Sequence, residues 1–304
     1  MRTSKTREVA NVSTCAALYA VAISVTASVP TPWGVGQFRP GVLIPAIYAF
    51  VGGPIEAGLG AAIGTFIGSF ILQATGTGLG PLGSLISGSP ANFIGFYLLG
   101  WFISKYRSWN GFILGTFASL VLGNLIAAGG VVVYLTYVVP RWLTMALDVK
   151  LMTIVGLTLF WTTTMLPFVL IPVPILISGL TRSGLSIMNN GEFTYLRYRS
   201  SKGLIYPSLC VAGILTVIYG IIMLTSIGNL LFASVVKPQT VFWVKSLFVL
   251  TSGILVAFSI IGMLLASKTS TTHARQLATD RDHSTKDRSQ IPKLNLAQLA
   301  IAMD

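Results

Sequence analysis

Arg39 is the residue best suited to bind a charged solute, because it directly follows a segment rich in aromatic, proline and glycine residues, PTPWGVGQF (30–38). Trp33 and Phe38 provide stacking surfaces, and Gln37 provides hydrogen-bonding groups. A guanidinium pairs well with the oxygens of a carboxylate or a phosphate. The segment therefore predicts a lid loop over a solute pocket, with Arg39 facing an anionic group. The alternative is an arginine that snorkels to a membrane interface beside an aromatic residue.

Three further polar residues lie in or beside apolar stretches. Asn92 and Asn124 are predicted to face the interior of a helix bundle, where each one either touches a solute or hydrogen-bonds to a neighbouring helix. Glu56 follows Gly52-Gly53-Pro54 and falls in the first turn of a predicted helix, where a carboxylate interacts favourably with the helix dipole. The alternative for Glu56 is a proton-coupling acid.

Residues that could perform catalysis or hold a metal are scarce. Both histidines, His273 and His283, lie in the segment 268–304, and Cys15 and Cys210 lie in separate apolar runs. The chain has no Gly-x-x-x-x-Gly-Lys-Ser/Thr motif. We therefore expect no enzyme, no cofactor or metal site, and no ATPase activity of the chain's own.

The elements that must position these residues are membrane-spanning helices. Of the 304 residues, 53% are apolar and 9% are charged, against about 25% charged in soluble domains. A net charge of +12 would ordinarily suggest nucleic acid, but here the basic residues alternate with apolar stretches. The composition excludes a water-soluble globule and predicts an all-α, multi-pass membrane protein whose partner is the lipid bilayer and not nucleic acid.

Eight apolar stretches are candidate spans, since a helix needs about 20 apolar residues to cross the hydrocarbon core. Two of them, 40–53 and 91–104, are short and must be completed by flanking residues or covered by neighbouring helices. The eight predicted spans are 9–29, 40–53, 55–72, 91–104, 111–135, 151–180, 204–232 and 241–267.

The distribution of Lys and Arg predicts the orientation. We predict a cell-membrane protein with both ends of the chain in the cytoplasm. In this orientation 15 of the 20 basic residues lie on the cytoplasmic side, as the positive-inside rule requires. The outer side then holds Arg39, Arg141, Lys150, Lys237 and Lys245. The alternative for the first span is a cleaved signal peptide that ends near residue 28.

Small residues recur at helical spacing in three spans. Gly60, Gly64 and Gly68 lie on one face of the third span, and Gly115, Ser119, Gly123 and Ala127 lie on one face of the fifth. Both stripes predict close helix packing. Ala16 and Ala20 show the same spacing in the first span and predict either internal packing or docking of another membrane subunit.

These features resemble the substrate-binding S component of energy-coupling factor (ECF) vitamin transporters. The resemblance covers residues 9–180 and six spans. It is carried by the Ala16-x-x-x-Ala20 pair, the lid loop, and the runs FRPGVLIPA (38–46), GPIEAG (53–58) and LPFVLIP (166–172).

The resemblance implies a six-helix core that captures a vitamin-like solute from outside. Such subunits topple in the membrane against a transmembrane coupling subunit driven by two cytoplasmic ATPases. It implies that Ala16 and Ala20 dock the coupling subunit. It further implies eight solute-binding residues, with the first four in or beside the lid and the others on the fourth to sixth spans: Trp33, Gln37, Phe38, Arg39, Asn92, Asn124, Tyr134 and Trp161.

The chain departs from the six-helix pattern after residue 180. The predicted domains are the substrate-binding core 1–180, a cytoplasmic polar linker 181–203, two extra spans in 204–267, and a basic cytoplasmic tail 268–304. The tail has too few apolar residues to fold alone.

Three other functions compete with a capture subunit. A stand-alone permease would need a coupling ion, and Glu56 is the one acidic residue within a predicted span. An intramembrane enzyme would need an acid, a base or metal ligands that the spans lack. A membrane scaffold protein would use the two extra spans and the tail.

Overall fold

The computed structural model describes residues 5–26, 31, 33–34, 36–76, 78–182, 202–232, 241–242, 245–247, 249–257, 259–261 and 263–264. Within these ranges the secondary structure is helical and contains no strand, which confirms the all-α prediction. The predicted tail and most of the predicted linker lie outside the described residues. The same holds for residues 27–30, 32 and 35 of the first predicted span and the lid loop.

The helices follow the apolar stretches closely. A 3₁₀ turn, Pro40–Val42, leads directly into the second helix, and α8 and α9 are separated only by Ile171. The helices are α1 Lys5–Thr26, α2 Leu43–Val51, α3 Pro54–Ala74, α4 Gly80–Ile86, α5 Gly88–Tyr106, α6 Trp109–Val138, α7 Pro140–Leu143, α8 Leu147–Leu170, α9 Pro172–Arg182, α10 Lys202–Leu224 and α11 Ile227–Leu231.

Four helical segments in the described part of the chain are long and apolar enough to cross a membrane. They are α1, α3, α6 and the run Leu147–Ile177, and the bent pair α4–α5 makes a fifth if it is one span. Pro40–Val51, Ser208–Leu224 and Lys245–Ile261 are shorter apolar helices. The structure thus supports a membrane protein built from apolar helices, while eight spans and their orientation stay predictions.

The connection between α3 and α5 contains a short helix, α4, which ends at Ile86 and meets α5 at 42°. Gly76 and Gly80 have φ of +70° and +75°, a conformation that glycine adopts without strain, and Pro81 suits the first turn of a helix. This turn packs α4 against α3, α5 and α6.

The glycine stripe of α3 packs against α1. A Cβ added at Gly60 would lie 2.6 Å from Cys15 Cβ, and one added at Gly64 would lie 2.7 Å from the Ala16 carbonyl oxygen. The two backbones therefore meet more closely than any larger residue would allow. The second stripe behaves similarly, because a Cβ at Gly123 would lie 3.2 Å from the Ala91 carbonyl oxygen of α5.

The docking role expected for Ala16 and Ala20 stays a prediction. Both side chains are only 3% exposed, and the backbone of both residues lies against Gly64 and Gly68 of α3. Within the described residues the two alanines therefore take part in internal packing, which was the alternative prediction. Val21 and Val25 of α1 are exposed.

The C-terminal helices pack on the core rather than apart from it. α10 lies against α6, and α11 lies against α8. The hydroxyl groups of Tyr219 on α10 and Thr163 on α8 are hydrogen-bonded to each other. The helices after residue 180 are therefore part of one helical assembly with the core.

Candidate functional site

Two small cavities adjoin Arg39 at the end of the bundle where α1 leads into the lid loop. The inner cavity has a volume of about 20 Å³, and the lid cavity has a volume of about 40 Å³. The polar residues that line the inner cavity are Arg39, Asn92, Thr116, Ser119 and Asn124. The residues that line the lid cavity include Gln37, Arg39, Thr65, Ser69, Ser84, Ser87 and Trp161. Arg39 is the polar residue that lines both cavities.

Arg39 is held by its backbone and by one aromatic ring. Pro40 follows it at the start of the 3₁₀ turn, and Arg39 has a non-helical backbone conformation (φ −130°, ψ 65°), outside the α region that proline disfavours in the preceding residue. The guanidinium carbon lies 5.6 Å from the ring centroid of Trp161, within the range of a cation–π interaction. The Nε atom is buried and has no hydrogen-bond partner.

The lid loop is tied to α8 at Trp161. The indole Nε1 of Trp161 donates a hydrogen bond of 3.2 Å to the carbonyl oxygen of Gln37. Gly36 has φ +73°, and a Cβ there would lie 2.5 Å from the Trp161 ring, so this close contact requires glycine. Gln37 is only 2% exposed, and its side-chain Nε2 has no partner.

Trp33 and Phe38 fix the lid loop but do not line either cavity. Trp33 is 2% exposed, meets Phe160 edge-on at 6.4 Å, and stacks on Phe232 at 6.1 Å. Its close contact with α8 depends on Gly156, where a Cβ would lie 2.3 Å from the indole. Phe38 meets Phe168 edge-on at 5.5 Å. The structure therefore places both aromatic residues in the packing around the site.

Asn92 lines the inner cavity but already has hydrogen-bond partners. Its Nδ2 donates to Thr65 Oγ1 (2.9 Å) and to the Gly88 carbonyl oxygen (2.8 Å). The Tyr19 hydroxyl donates to its Oδ1 (3.2 Å). These bonds join α1, α3 and α5, as in the interhelical role that was one of the two predictions.

Asn124 joins α6 to α8 from the other side of the inner cavity. Its Nδ2 donates to Thr162 Oγ1 at 3.2 Å and contacts Met165 Sδ at 3.7 Å. Tyr134, by contrast, lies further along α6, where its ring is 3.3 Å from the position of a Gly83 Cβ on α4. Tyr134 is not among the residues that line the two cavities.

Thr116 and Ser119 are among the site residues that the sequence did not predict, as are Thr65, Ser69, Ser84 and Ser87 of the lid cavity. Thr116 and Ser119 are 1% and 4% exposed, line the inner cavity, and have hydroxyl groups without a hydrogen-bond partner. Ser119 was interpreted only as part of a packing stripe. At 100° per residue, Thr116, Ser119 and Asn124 fall within one half of the α6 surface, a polar clustering that the sequence does contain.

Five of the eight expected binding residues thus come together around the two cavities. They are Gln37, Arg39, Asn92, Asn124 and Trp161. The other three, Trp33, Phe38 and Tyr134, lie outside the linings.

A third cavity lies at the opposite end of α1 and α3. It is an open groove of about 430 Å³ that includes Glu8, Val9, Ser13, Ile55 and Glu56. Glu56 is 5% exposed, lies in the first turn of α3, and accepts a 2.7 Å hydrogen bond from Asn11 Nδ2. This agrees with a structural role at the helix start. No group of three or more His, Cys, Asp and Glu residues in the described part of the chain could hold a metal ion.

Comparison of the chain with protein-family models, with curated proteins and with solved structures finds no match.

Proposed function

We propose that this chain is the membrane-embedded solute-capture subunit of an ATP-driven importer of a small, vitamin-like micronutrient. The subunit binds solute from outside the cell and depends on a separate transmembrane coupling subunit and two ATPase subunits. The observation that carries the proposal is a set of four buried, unpartnered polar atoms on residues that line the two cavities around Arg39: Arg39 Nε, Gln37 Nε2, Thr116 Oγ1 and Ser119 Oγ.

Unpartnered buried groups of this kind indicate a binding site. Each one costs about 1–3 kcal/mol relative to a hydrogen-bonded group. Most buried polar groups in folded proteins have partners, so four exceptions in one region need an explanation. A solute that accepts hydrogen bonds from them provides one.

The size of the cavities requires the lid loop to move for a solute to enter. A volume of about 20 Å³ or 40 Å³ holds only one or a few water molecules, since one water needs about 10–15 Å³ measured in this way. The lid has glycines with positive φ at positions 34 and 36, which suits a hinge. Moving Gln37 and Arg39 away from Trp161 would join the two cavities.

The dependence on partner subunits rests on the sequence. The chain has no P-loop motif, and Glu56 lies in the groove at the far end of α3 from Arg39. A capture subunit needs neither an ATPase motif nor a coupling acid of its own.

One observation favours a stand-alone permease as the second candidate. Glu56 is a largely buried carboxylate next to an open groove, which is a suitable place for a coupling proton. Its hydrogen bond from Asn11 and its position at the start of α3 also explain it without transport. A membrane scaffold protein is third, since it would leave the polar groups around Arg39 without a role.

Two measurements on the full-length chain separate these functions. Native mass spectrometry of the purified protein should detect a small co-purifying solute, and a scaffold protein would carry none. Liposomes that contain only this chain should bind that solute without accumulating it. Accumulation against a proton or sodium gradient would show that the chain is a permease.

A further inference from the structure

We infer that the solute carries an oxyanion, a carboxylate or a phosphate group, that serves as the counter-ion of Arg39, and that a compact apolar part of the solute occupies the inner cavity. This inference rests on the proposed function, since it names the substrate class of the same site.

The first step is the charge of Arg39. A guanidinium stays protonated in proteins, and a positive charge inside a helix bundle needs a partner. Among the described residues no carboxylate pairs with Arg39, its guanidinium carbon lies 5.6 Å from the ring centroid of Trp161, and its buried Nε atom has no hydrogen-bond partner. No carboxylate is among the residues that line either cavity. The site therefore presents an uncompensated positive charge.

The second step is the direction of the hydrogen bonds. Arg39 Nε and Gln37 Nε2 can only donate, and the Thr116 and Ser119 hydroxyl groups can donate as well. All four lack a partner. A ligand that satisfies them must be rich in acceptor oxygens, as carboxylates and phosphates are. A cationic amine would repel Arg39 and offer no acceptor.

The third step is the apolar wall of the inner cavity. Phe96 and Leu99 line it from α5, Leu120 lines it from α6, and Met165 and Val169 line it from α8. These side chains favour a hydrocarbon or aromatic group over a second charged one. The ligand class is thus a small amphipathic anion with its charged end at Arg39.

The test uses four probes that share one ring and differ only in the polar group. Benzoate, phenyl phosphate, benzamide and benzylamine are added separately to the full-length chain in nanodiscs, and the shift in Tm is measured over concentrations up to tens of millimolar. At least one of the two anions should raise Tm, with an apparent affinity at least 10-fold higher than that of benzamide. The stronger of the two identifies the oxyanion as a carboxylate or a phosphate. Benzylamine should have no effect.

Variants then assign the effect to one side chain. Arg39→Gln should bring the ratio of anion to benzamide affinity close to 1, whereas Arg141→Gln, at an exposed arginine on α7, should leave that ratio unchanged. Thr116→Val removes one of the unpartnered hydroxyl groups and should weaken anion binding several-fold without abolishing it. It also provides a test if Arg39→Gln does not fold.

Three results would overturn the inference. They are the absence of a Tm shift with either anion, equal affinity for benzoate, phenyl phosphate and benzamide, and an anion preference that survives in Arg39→Gln. Failure of the proposed function is a separate result, because it would appear as solute accumulation by liposomes that contain the chain alone, whichever probe binds best.

Discussion

The charged side chains at the two ends of α3 differ in their hydrogen bonding. At its N-terminal end, Glu56 accepts a hydrogen bond from Asn11 and lies beside an open groove of about 430 Å³. At the other end, Arg39 lies between two cavities of about 20 and 40 Å³, and its Nε has no partner. The carboxylate of Glu56 has a hydrogen-bond partner that explains its burial. The unpartnered Arg39 Nε, beside the smaller cavities, is the observation from which we propose a binding site.

The largest effect should come from a substitution at Gly36, where the lid loop lies against Trp161. Gly36→Val would place a branched side chain at φ +73° and into the Trp161 ring, so we expect a loss of at least about 3 kcal/mol in the free energy of unfolding and the loss of anion binding. Gly76→Val is the matched control, because Gly76 has φ +70° and nothing within 4 Å of its Cβ position. Equal losses in the two variants would mean that backbone strain alone matters and that the Trp161 contact does not.

Removing a partnered polar group in the bundle should have the next largest effect. Asn92→Leu removes hydrogen bonds to Tyr19, Thr65 and the Gly88 carbonyl oxygen. At about 0.6 kcal/mol for each bond within a membrane bundle, we expect a loss of about 2 kcal/mol, measured by unfolding in a denaturing detergent. An unchanged free energy of unfolding would show that the hydrogen bonds of Asn92 do not stabilise the bundle.

The contact between the lid loop and the C-terminal helices should have an intermediate effect. Phe232→Ala removes the ring that stacks on Trp33, a pair expected to contribute about 1 kcal/mol, so a bound anion should dissociate about 5-fold faster. Leu230→Ala, at an exposed position on α11, is the control and should leave the dissociation rate unchanged. The same rate in both variants would mean that the C-terminal helices do not hold the lid.

Removing an unpartnered group should have a smaller effect of the opposite sign. Thr116→Val replaces a buried hydroxyl group that has no partner by a methyl group of similar shape. We expect the ligand-free protein to unfold at the same free energy or to gain up to about 1 kcal/mol. A clear loss, as large as that of Asn92→Leu, would show that Thr116 is a structural residue.

The smallest effect is expected at Glu56. Glu56→Gln keeps an oxygen that can accept the hydrogen bond from Asn11, so the free energy of unfolding should change by less than about 0.5 kcal/mol and anion affinity should stay the same. The matching transport measurement compares the wild type and Glu56→Gln in liposomes that contain only this chain, with and without a proton gradient. Gradient-driven uptake that Glu56→Gln abolishes would support the permease instead.

Part of this site could be predicted from residue types alone. Arg39, Gln37, Asn92, Asn124 and Trp161 are polar or amphipathic residues in apolar surroundings, and such residues turn inward because lipid cannot satisfy them. For aromatic residues, the residue type predicted less well which side chains line a cavity. Trp33 and Tyr134 could equally well line a cavity or fill one, and the structure uses them as packing.

The small-residue stripes had the same ambiguity. Spacing places Ala16 and Ala20 on one helix face but does not say which helix covers that face. The glycines of α3 cover it here, because Gly64 and Gly68 let the two backbones meet. A stripe predicts a close contact and leaves the identity of the partner open.

The sequence by itself determined the class of this protein: an all-α assembly of apolar helices with an excess of basic residues. Only the tertiary structure decided which of those polar groups have partners, because hydrogen bonds act over about 3 Å while their two residues can be far apart in the chain. Trp161 reaches Gln37 across 124 residues, and Asn92 reaches Tyr19 across 73. Arg39 differs from these residues because none of the described residues that line its two cavities is a carboxylate.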